Sequence, residues 1–518
     1  MHLQLEGDLF KLKGTPRELN KVKELPISNA FPRKPRVIQN VVTRLGLSQQ
    51  VELPSIRPFP ESFHFHTEPL NHQLSALQIL WTFKGTNLLL DPGLGKTKIL
   101  LDYIHLKGYS RTLVVCPSPL KEVWLAEANT HRPEVSLTPV HTTTDAMTGK
   151  VLLLSYAMTR LRMEDLLAWR PELIILDEAL IQNDSIVTQD LITLGKISKE
   201  RILASGSLVN NGPKNLYFPL KFSEPSLVGG SFTKFQDRFL VPMANVKYRY
   251  TEKPKNIEEL RGIVQATSVV MRKSEVMKDL PTPITKLVNV SMPESYLTQW
   301  EDIKSSKLLR IEGVGDFELD NPLAVYSRLS QLSAGFFYLE DKVPWYFKER
   351  PKVEAFLRHA LQSRERGIVW FRYTAQGLQL KEALDGAGIS YLFVDGKTRK
   401  VAEVVQRFNK SEVQFLIAQE KVLNYGQTIM GSEEGLFPGL SGHVVEQHFI
   451  TESYSYQVST QQEGRNHRIG LKFQPVYFKY LMTELDFVVR STLESRHDVS
   501  EEILKQFVLN LKPGRGTQ

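Results

Sequence analysis

The 518-residue sequence predicts an α/β fold: two lobes, each a parallel sheet covered by helices, with a helical insertion and a small N-terminal module. Three observations carry this. Length alone asks for about three to four domains. From residue 66 to 210, short apolar runs alternate with amphipathic segments, and the same alternation returns from 351 to 490. Runs of that length that are apolar on both faces suit parallel strands buried under helices.

In the first lobe the strands are NLLL (87–90), TLVVC (112–116), VLLLSY (151–156), LIILD (173–177) and RILAS (201–205). In the second they are GIVWF (367–371), SYLFVD (390–395), VQFLIA (413–418) and HVVEQHF (443–449), with KVEAFLRHALQ (352–362) and VAEVVQRFN (401–409) as helices. Ahead of them, five prolines between 31 and 60 read as an extended linker closing the N-terminal module. Within that module DLFKLKGTPRELNKVKEL (8–25) reads as a short strand followed by a basic helix. The expected division is 1–65 for the module, 66–290 for the first lobe with a helical extension, 291–350 for an inter-lobe linker or helical segment, 351–490 for the second lobe and 491–518 for a tail.

A content of 42% hydrophobic and 24% charged residues excludes a disordered or fibrous chain. No run approaches the ~18 apolar residues of a membrane span, and MHLQLEGDLF carries acids where a secretory signal is basic. The expectation is a soluble cytoplasmic protein of a bacterium or of a virus-infected host, associated with the nucleoid and not with membrane. The single cysteine, Cys116, excludes an intramolecular disulfide and a cysteine zinc cluster, and reads as an inert core residue. The net charge of +8 is modest, but residues 1–60 hold ten basic residues against five acidic ones, a net +5 that a phosphate backbone attracts.

Ligands of such sheets bind at the carboxyl ends of the strands, and the unusual residues fall there. DPGLGKT (91–97) lies between the strand NLLL and the helix-like KILLDYIHL. Gly93, Leu94 and Gly95 would let backbone N–H groups surround a phosphate, Lys96 would reach the outer phosphates, and the Thr97 hydroxyl would ligate Mg²⁺. Leu90 occupies the position of the first glycine in the strict pattern. LIILDEAL (173–180) ends a buried strand in two carboxylates, which burial penalises unless a cation compensates. Asp177 would hold the Mg²⁺ and Glu178 would polarise an attacking water, so an ATP-hydrolysing lobe is expected.

With these residues in place, the chain resembles the Swi/Snf-type branch of superfamily-two helicases, whose lobes are RecA-like. In PLNHQLSALQIL (69–80), Gln73 stands where the family reads adenine. TLVVCPSPLKEVW (112–124) is similar to motif Ia, LLLSY (152–156) to motif Ib and ASGSLVNNGPKNLYFPLKF (204–222) to motif III. NIEELRGIVQATSVVMRKSEVMKDLP (256–281) matches the arginine–lysine and "LP" signature, and GIVWFRY (367–373) with YLFVDGKT (391–398) resembles motif IV and the strand after it. QQEGRNHRIG (461–470) resembles motif VI, whose arginines, here Arg465 and Arg468, reach the γ-phosphate; if the segment is helical the two share a face. The resemblance implies DNA contacts at Pro117, Ser118, Asn210, Asn211, Arg272 and Lys273.

It further implies an ATP- and Mg²⁺-dependent DNA translocase acting on duplex, forked or branched DNA by branch migration, fork reversal or annealing; it names no protein partner. The small basic module resembles those of compact viral branch-migrating and annealing helicases. An RNA or single-strand DNA helicase, or a nucleotide-switched DNA-binding protein with little turnover, are the alternatives. Leu180, Ser205 and Ser207 depart from the family pattern at positions that relay nucleotide state. Motif V is weak: NYGQTIM (424–430) keeps Gly426 and is followed by an insertion, GSEEGLFPGLSG (431–442), with no assigned role. His467 reads as a structural residue and not a metal ligand.

Overall fold

The computed structural model describes residues 2–6, 9–13, 30–32, 40, 56–206, 212–244, 249–311, 313–319, 321–339, 342–410, 412–423, 426–432 and 442–504. The chain divides into two compact units, Met1–Lys278 with Arg496–Gln518, and Asp279–Ser495. Among the described residues no helix is long and apolar enough to cross a membrane.

The first unit is built on a seven-stranded, wholly parallel sheet: β1 (Asn87–Leu90), β2 (Thr112–Cys116), β3 (Leu137–Pro139), β4 (Val151–Ser155), β5 (Leu173–Asp177), β6 (Glu200–Ala204) and β7 (Ser268–Met271). Their spatial order is β7-β1-β6-β5-β2-β4-β3. The residues of β1, β2 and β5 are buried throughout, so these strands need cover on both faces, and parallel crossovers supply it as helices. Leu113, Val115, Leu152, Ile174, Leu176 and Leu203 form one core with the aromatic residues Tyr217, Phe218, Phe222, Phe235 and Phe239 of the segment after β6. Each such side chain contributes roughly 1.5–3 kcal/mol by leaving water, which holds that segment to the sheet.

Two edge strands, β3 and β7, escaped the sequence reading. LTP is short and only half buried. SVVM lies inside the arginine–lysine signature and becomes a strand by pairing with β1. In the N-terminal module, His2–Glu6, Leu9–Lys13 and Ala30–Pro32 form an antiparallel sheet; the expected basic helix lies outside the described residues. The last part of the expected linker is packed rather than extended. Phe59, Phe63 and Phe65 pack in tilted and edge-to-face contacts, Arg57 lies 4.0 Å above the Trp81 ring, and Trp81 Nε1 donates to Pro58 O.

The second unit carries a six-stranded parallel sheet: β8 (Ile284–Asn289), β9 (Arg366–Phe371), β10 (Tyr391–Val394), β11 (Phe415–Gln419), β12 (Val444–Phe449) and β13 (Val476–Leu481), in the order β8-β13-β12-β9-β11-β10. The boundary expected at 290 falls at 278 instead, because β8 takes its hydrogen bonds from β13. The segment 291–350, expected as a linker or helical segment, holds helices and two hairpins. Leu308–Ile311 pairs with Gly315–Glu318, Phe336–Tyr338 pairs with Pro344–Tyr346, and a core of Tyr296, Trp300, Leu332, Phe337 and Phe347 binds both to the helices Glu294–Glu301 and Pro322–Ser333. Gly313, at φ 75°, supplies the left-handed turn that the first hairpin needs. The expected tail is helical at its start, as part of Glu484–Leu504.

Candidate nucleotide site

The glycine loop leads from β1 into the helix Lys96–Lys107. Gly93 and Gly95 take φ of 90° and 77°, a region that costs an L-residue roughly 1–2 kcal/mol. Gly95 has a second constraint: a Cβ there would lie 2.2 Å from Gln73 Nε2. Gln73 is held by its own ties, its Oε1 accepting from Leu70 N at 3.0 Å and its Nε2 donating to Leu94 O at 3.4 Å. His72, whose Nε2 is 3.0 Å from Leu94 O, fixes the loop from the same helix; burial lowers its pKa. Thr97 is half-buried at the second position of the helix that follows the loop.

Parallel pairing brings the end of β5 to this loop. Lys96 Nζ donates to Leu90 O at 3.1 Å and lies 3.8 Å from Glu178 Oε1, with both side chains almost buried. Asp177 accepts from Trp124 Nε1 at 2.8 Å through one oxygen and from the Glu178 backbone N–H at 3.0 Å through the other. Tyr156 Oη donates to the Asp177 carbonyl. Glu178 itself has φ 46°, a strained backbone for a non-glycine residue and one that marks functional turns. Burial first, and then the Glu178 charge, push the Asp177 carboxyl up to about 6, against the opposing pull of Lys96 and the Trp124 N–H. Asp177 therefore sits with its carboxyl next to that of Glu178 in a buried place that disfavours a bare anion. That buried carboxyl, with an oxygen-only donor set of Asp177 and Thr97, fits Mg²⁺.

A third element braces the loop. In the β7–β1 register Met271 stands opposite Leu90, so the next residues, Arg272 and Asp91, meet. Arg272 Nη1 lies 2.9 Å from Asp91 Oδ1, and the Lys273 backbone N–H donates to Asp91 Oδ2 at 2.9 Å. The structure therefore ties Arg272 and the Lys273 backbone to the phosphate loop, where the resemblance implied a DNA contact. The segment after β6 approaches from the other side: Ser205 N donates to Leu88 O, and a Cβ on Gly206 would lie 2.7 Å from Pro92.

The match to known families is decided over this stretch. The SNF2-related domain family matches residues 72–333, half of the chain. The chain belongs to the SNF2-related family. Among solved structures it is similar to the Sulfolobus solfataricus SWI2/SNF2 ATPase core in complex with dsDNA, at 16% identity and TM-score 0.40 over 87% of this chain and 100% of that one. It is similar also to the Sulfolobus solfataricus SWI2/SNF2 ATPase core domain, at 16% identity and TM-score 0.40 over 89% of this chain and 95% of that one. No curated protein sequence matches it.

In this SNF2-related chain Pro117 is buried and Ser118 exposed at the end of β2, on the sheet edge that carries the loop. Asn210, Asn211 and Ser207 lie outside the described residues, as do Asn424, Tyr425 and 433–441 of the insertion. The base of the insertion is closed: Gly431 bridges His443, and Ser432 N donates to Gly442 O. Leu180 is exposed. Cys116 is buried, and burial pushes its thiol up, which leaves it without nucleophilic character.

In the second unit, Arg465 and Arg468 do not share a helix face. The helix Tyr456–Glu463 ends at Gly464, before either arginine. Arg465 is buried, its Nε donating to Gln461 O and its Nη1 to Gln427 O, so it caps that helix and pins the remnant of motif V. Fully buried Asn466 donates through Nδ2 to Val444 O, tying the segment after the helix to β12. Arg468 is half-buried, with Nε donating to Gly464 O. His467 Nε2 lies 3.1 Å from the carbonyl of Pro281, the proline of the "LP" signature, which gives it a structural partner.

The carboxylate pair, the lysine and the glycine loop were legible from motif spacing. The Trp124 and Arg272 contacts were not. Trp124 carried a signal, as the tryptophan that completes motif Ia.

Proposed function

We propose that the chain is a DNA-stimulated ATPase that translocates along duplex DNA and acts on forks or branched junctions. One observation carries the reading: Asp177 and Glu178 end a buried strand beside Lys96 of the glycine loop, with Lys96 Nζ 3.8 Å from Glu178. Membership of the SNF2-related family agrees with it.

In this reading Gln73 contacts the base, and backbone N–H groups of Gly93–Thr97 with the helix N-terminus hold the phosphates. Lys96 shifts from Leu90 O and Glu178 to the outer phosphates. Thr97 and Asp177 hold Mg²⁺, which supplies charge neutralisation at the phosphates. Glu178 takes a proton from water as the water oxygen bonds the γ-phosphorus and the bond to ADP breaks, the leaving oxygen carrying the electron pair. Arg468 is the arginine proposed to meet the transferred phosphoryl group, while Arg465 shapes the segment that presents it. Pro117 and Ser118 are proposed DNA contacts, as is the Lys273 side chain, and the net +5 of residues 1–60 supports engagement of branched DNA.

The test is ATP hydrolysis at one salt concentration with no DNA, single strand, RNA, blunt duplex, fork and four-way junction. Stimulation by fork or junction above duplex supports the full reading. Equal stimulation by plain duplex leaves a general translocase, and stimulation by single strands or RNA alone overturns it. Glu178→Gln separates a motor from a nucleotide switch: turnover falls by orders of magnitude with ATP still bound, whereas a switch changes little.

A further inference from the structure

Away from the glycine loop, in the second unit, two histidines converge on one carboxylate. His359 lies on the helix Pro351–Gln362, and Glu446 and His448 lie on β12. The two-residue period of the strand puts Glu446 and His448 on the same face. His359 Nε2 stands 3.0 Å from both Glu446 oxygens, His448 Nε2 stands 3.1 Å from Glu446 Oε2, and the three potential donor atoms all lie within 4.8 Å of one another.

We propose that His359, Glu446 and His448 form a binding site for a divalent transition-metal ion of the zinc type. Zinc binds histidine nitrogen at about 2.0–2.1 Å and carboxylate oxygen at about 2.0–2.2 Å, which sets neighbouring tetrahedral ligands roughly 3.3 Å apart. The two nitrogen–oxygen separations, 3.0 and 3.1 Å, lie close to that value. Two nitrogens and one oxygen suit zinc, and the donors are too few for calcium, which takes six to eight oxygens.

Outer partners for the ligands are already in place. His448 Nδ1 lies 3.1 Å from Tyr480 Oη, so the tautomer protonated at Nδ1 frees Nε2 for the metal while donating to the tyrosine. Ser363 Oγ donates to Glu446 Oε1 at 3.2 Å, which orients the carboxylate. Phe356, Phe415 and Phe478 wall the cluster, and the His359 side chain is 28% exposed on its solvent side. A bound ion would clamp the helix Pro351–Gln362 to the centre of the second sheet.

The test uses chelator-treated full-length protein titrated with Zn²⁺ alone, without nucleotide or DNA, by calorimetry, with the melting temperature followed in parallel. The expected result is one saturable equivalent and a melting temperature that rises with Zn²⁺ concentration. His359→Gln, which can still hydrogen-bond Glu446, should abolish both while the metal-free melting temperature stays near that of the parent. His359→Cys, which restores a zinc ligand, should recover both. The absence of a saturable equivalent, or an equivalent that survives His359→Gln unchanged, overturns the proposal and leaves a purely hydrogen-bonded cluster.

Discussion

Arg272 Nη1 lies 2.9 Å from Asp91 Oδ1, joining residues 181 apart in the chain at the mouth of the glycine loop. The adjacent backbone N–H, of Lys273, occupies the other oxygen of the same carboxylate. The pair is partly buried, with side chains 13% and 20% exposed, so it braces the loop more firmly than a surface pair does. Arg272→Ala is expected to weaken nucleotide binding by about 1 kcal/mol, roughly fivefold, with DNA affinity little changed. A fluorescence titration of each ligand decides it. Lost DNA affinity at constant nucleotide affinity would make Arg272 a DNA contact instead.

Trp124→Phe keeps the ring but removes the N–H that reaches Asp177 Oδ2. A hydrogen bond to a charged group contributes about 1.5–3 kcal/mol, and each 1.36 kcal/mol corresponds to one pKa unit. The Asp177 carboxyl, already up to about 6, should rise further. The acid limb of the ATPase pH profile should therefore move up by about one unit, and more Mg²⁺ should be needed for half-maximal rate. An unchanged profile would remove Trp124 from the site's electrostatics.

Asp177→Asn should abolish hydrolysis yet stabilise the nucleotide-free protein. A carboxyl raised on folding from 3.8 to about 6 holds its proton more tightly folded than unfolded. It therefore carries no penalty below pH 3.8 and its full penalty above about pH 6, of order 3 kcal/mol at most. The melting temperature of the variant should exceed that of the parent at pH 8, and the gain should shrink at pH 5. An equal gain at both values would exclude buried charge as its cause.

Gly95→Ala combines a left-handed backbone with a collision against Gln73 Nε2. Strain of roughly 1–2 kcal/mol before the collision should weaken ATP binding at least about tenfold, with the global fold preserved. Parental affinity in this variant would mean that the loop does not cradle phosphate.

Removal of residues 1–55 takes away nine basic and five acidic residues, a net +4, and spares Arg57 on the Trp81 ring. The slope of log affinity for forked DNA against log salt should become shallower, since fewer phosphates are neutralised. An unchanged slope would place the DNA contacts elsewhere.

Elements carried by near neighbours in the chain were readable before any coordinates. β1, β2 and β5 occupy the runs NLLL, TLVVC and LIILD, because an unbroken apolar run of that length has few ways to leave water other than as a strand covered on both faces. Lys96 after its glycines, and Asp177–Glu178 at a strand end, were legible for the same reason. The contacts that tune these residues join positions far apart: 53 residues from Trp124 to Asp177, 181 from Arg272 to Asp91, and 87 from His359 to Glu446. Parallel pairing sets those meetings. The register that puts Met271 beside Leu90 is chosen by the edge of a finished sheet, and no periodicity within SVVM reveals it. The same holds for β8, whose partner β13 lies at the far end of the second unit's sequence and moves the boundary from 290 to 278. Local apolar pattern thus specifies strands and the chemistry at their ends, while the charge around that chemistry depends on which strands the sheet makes neighbours.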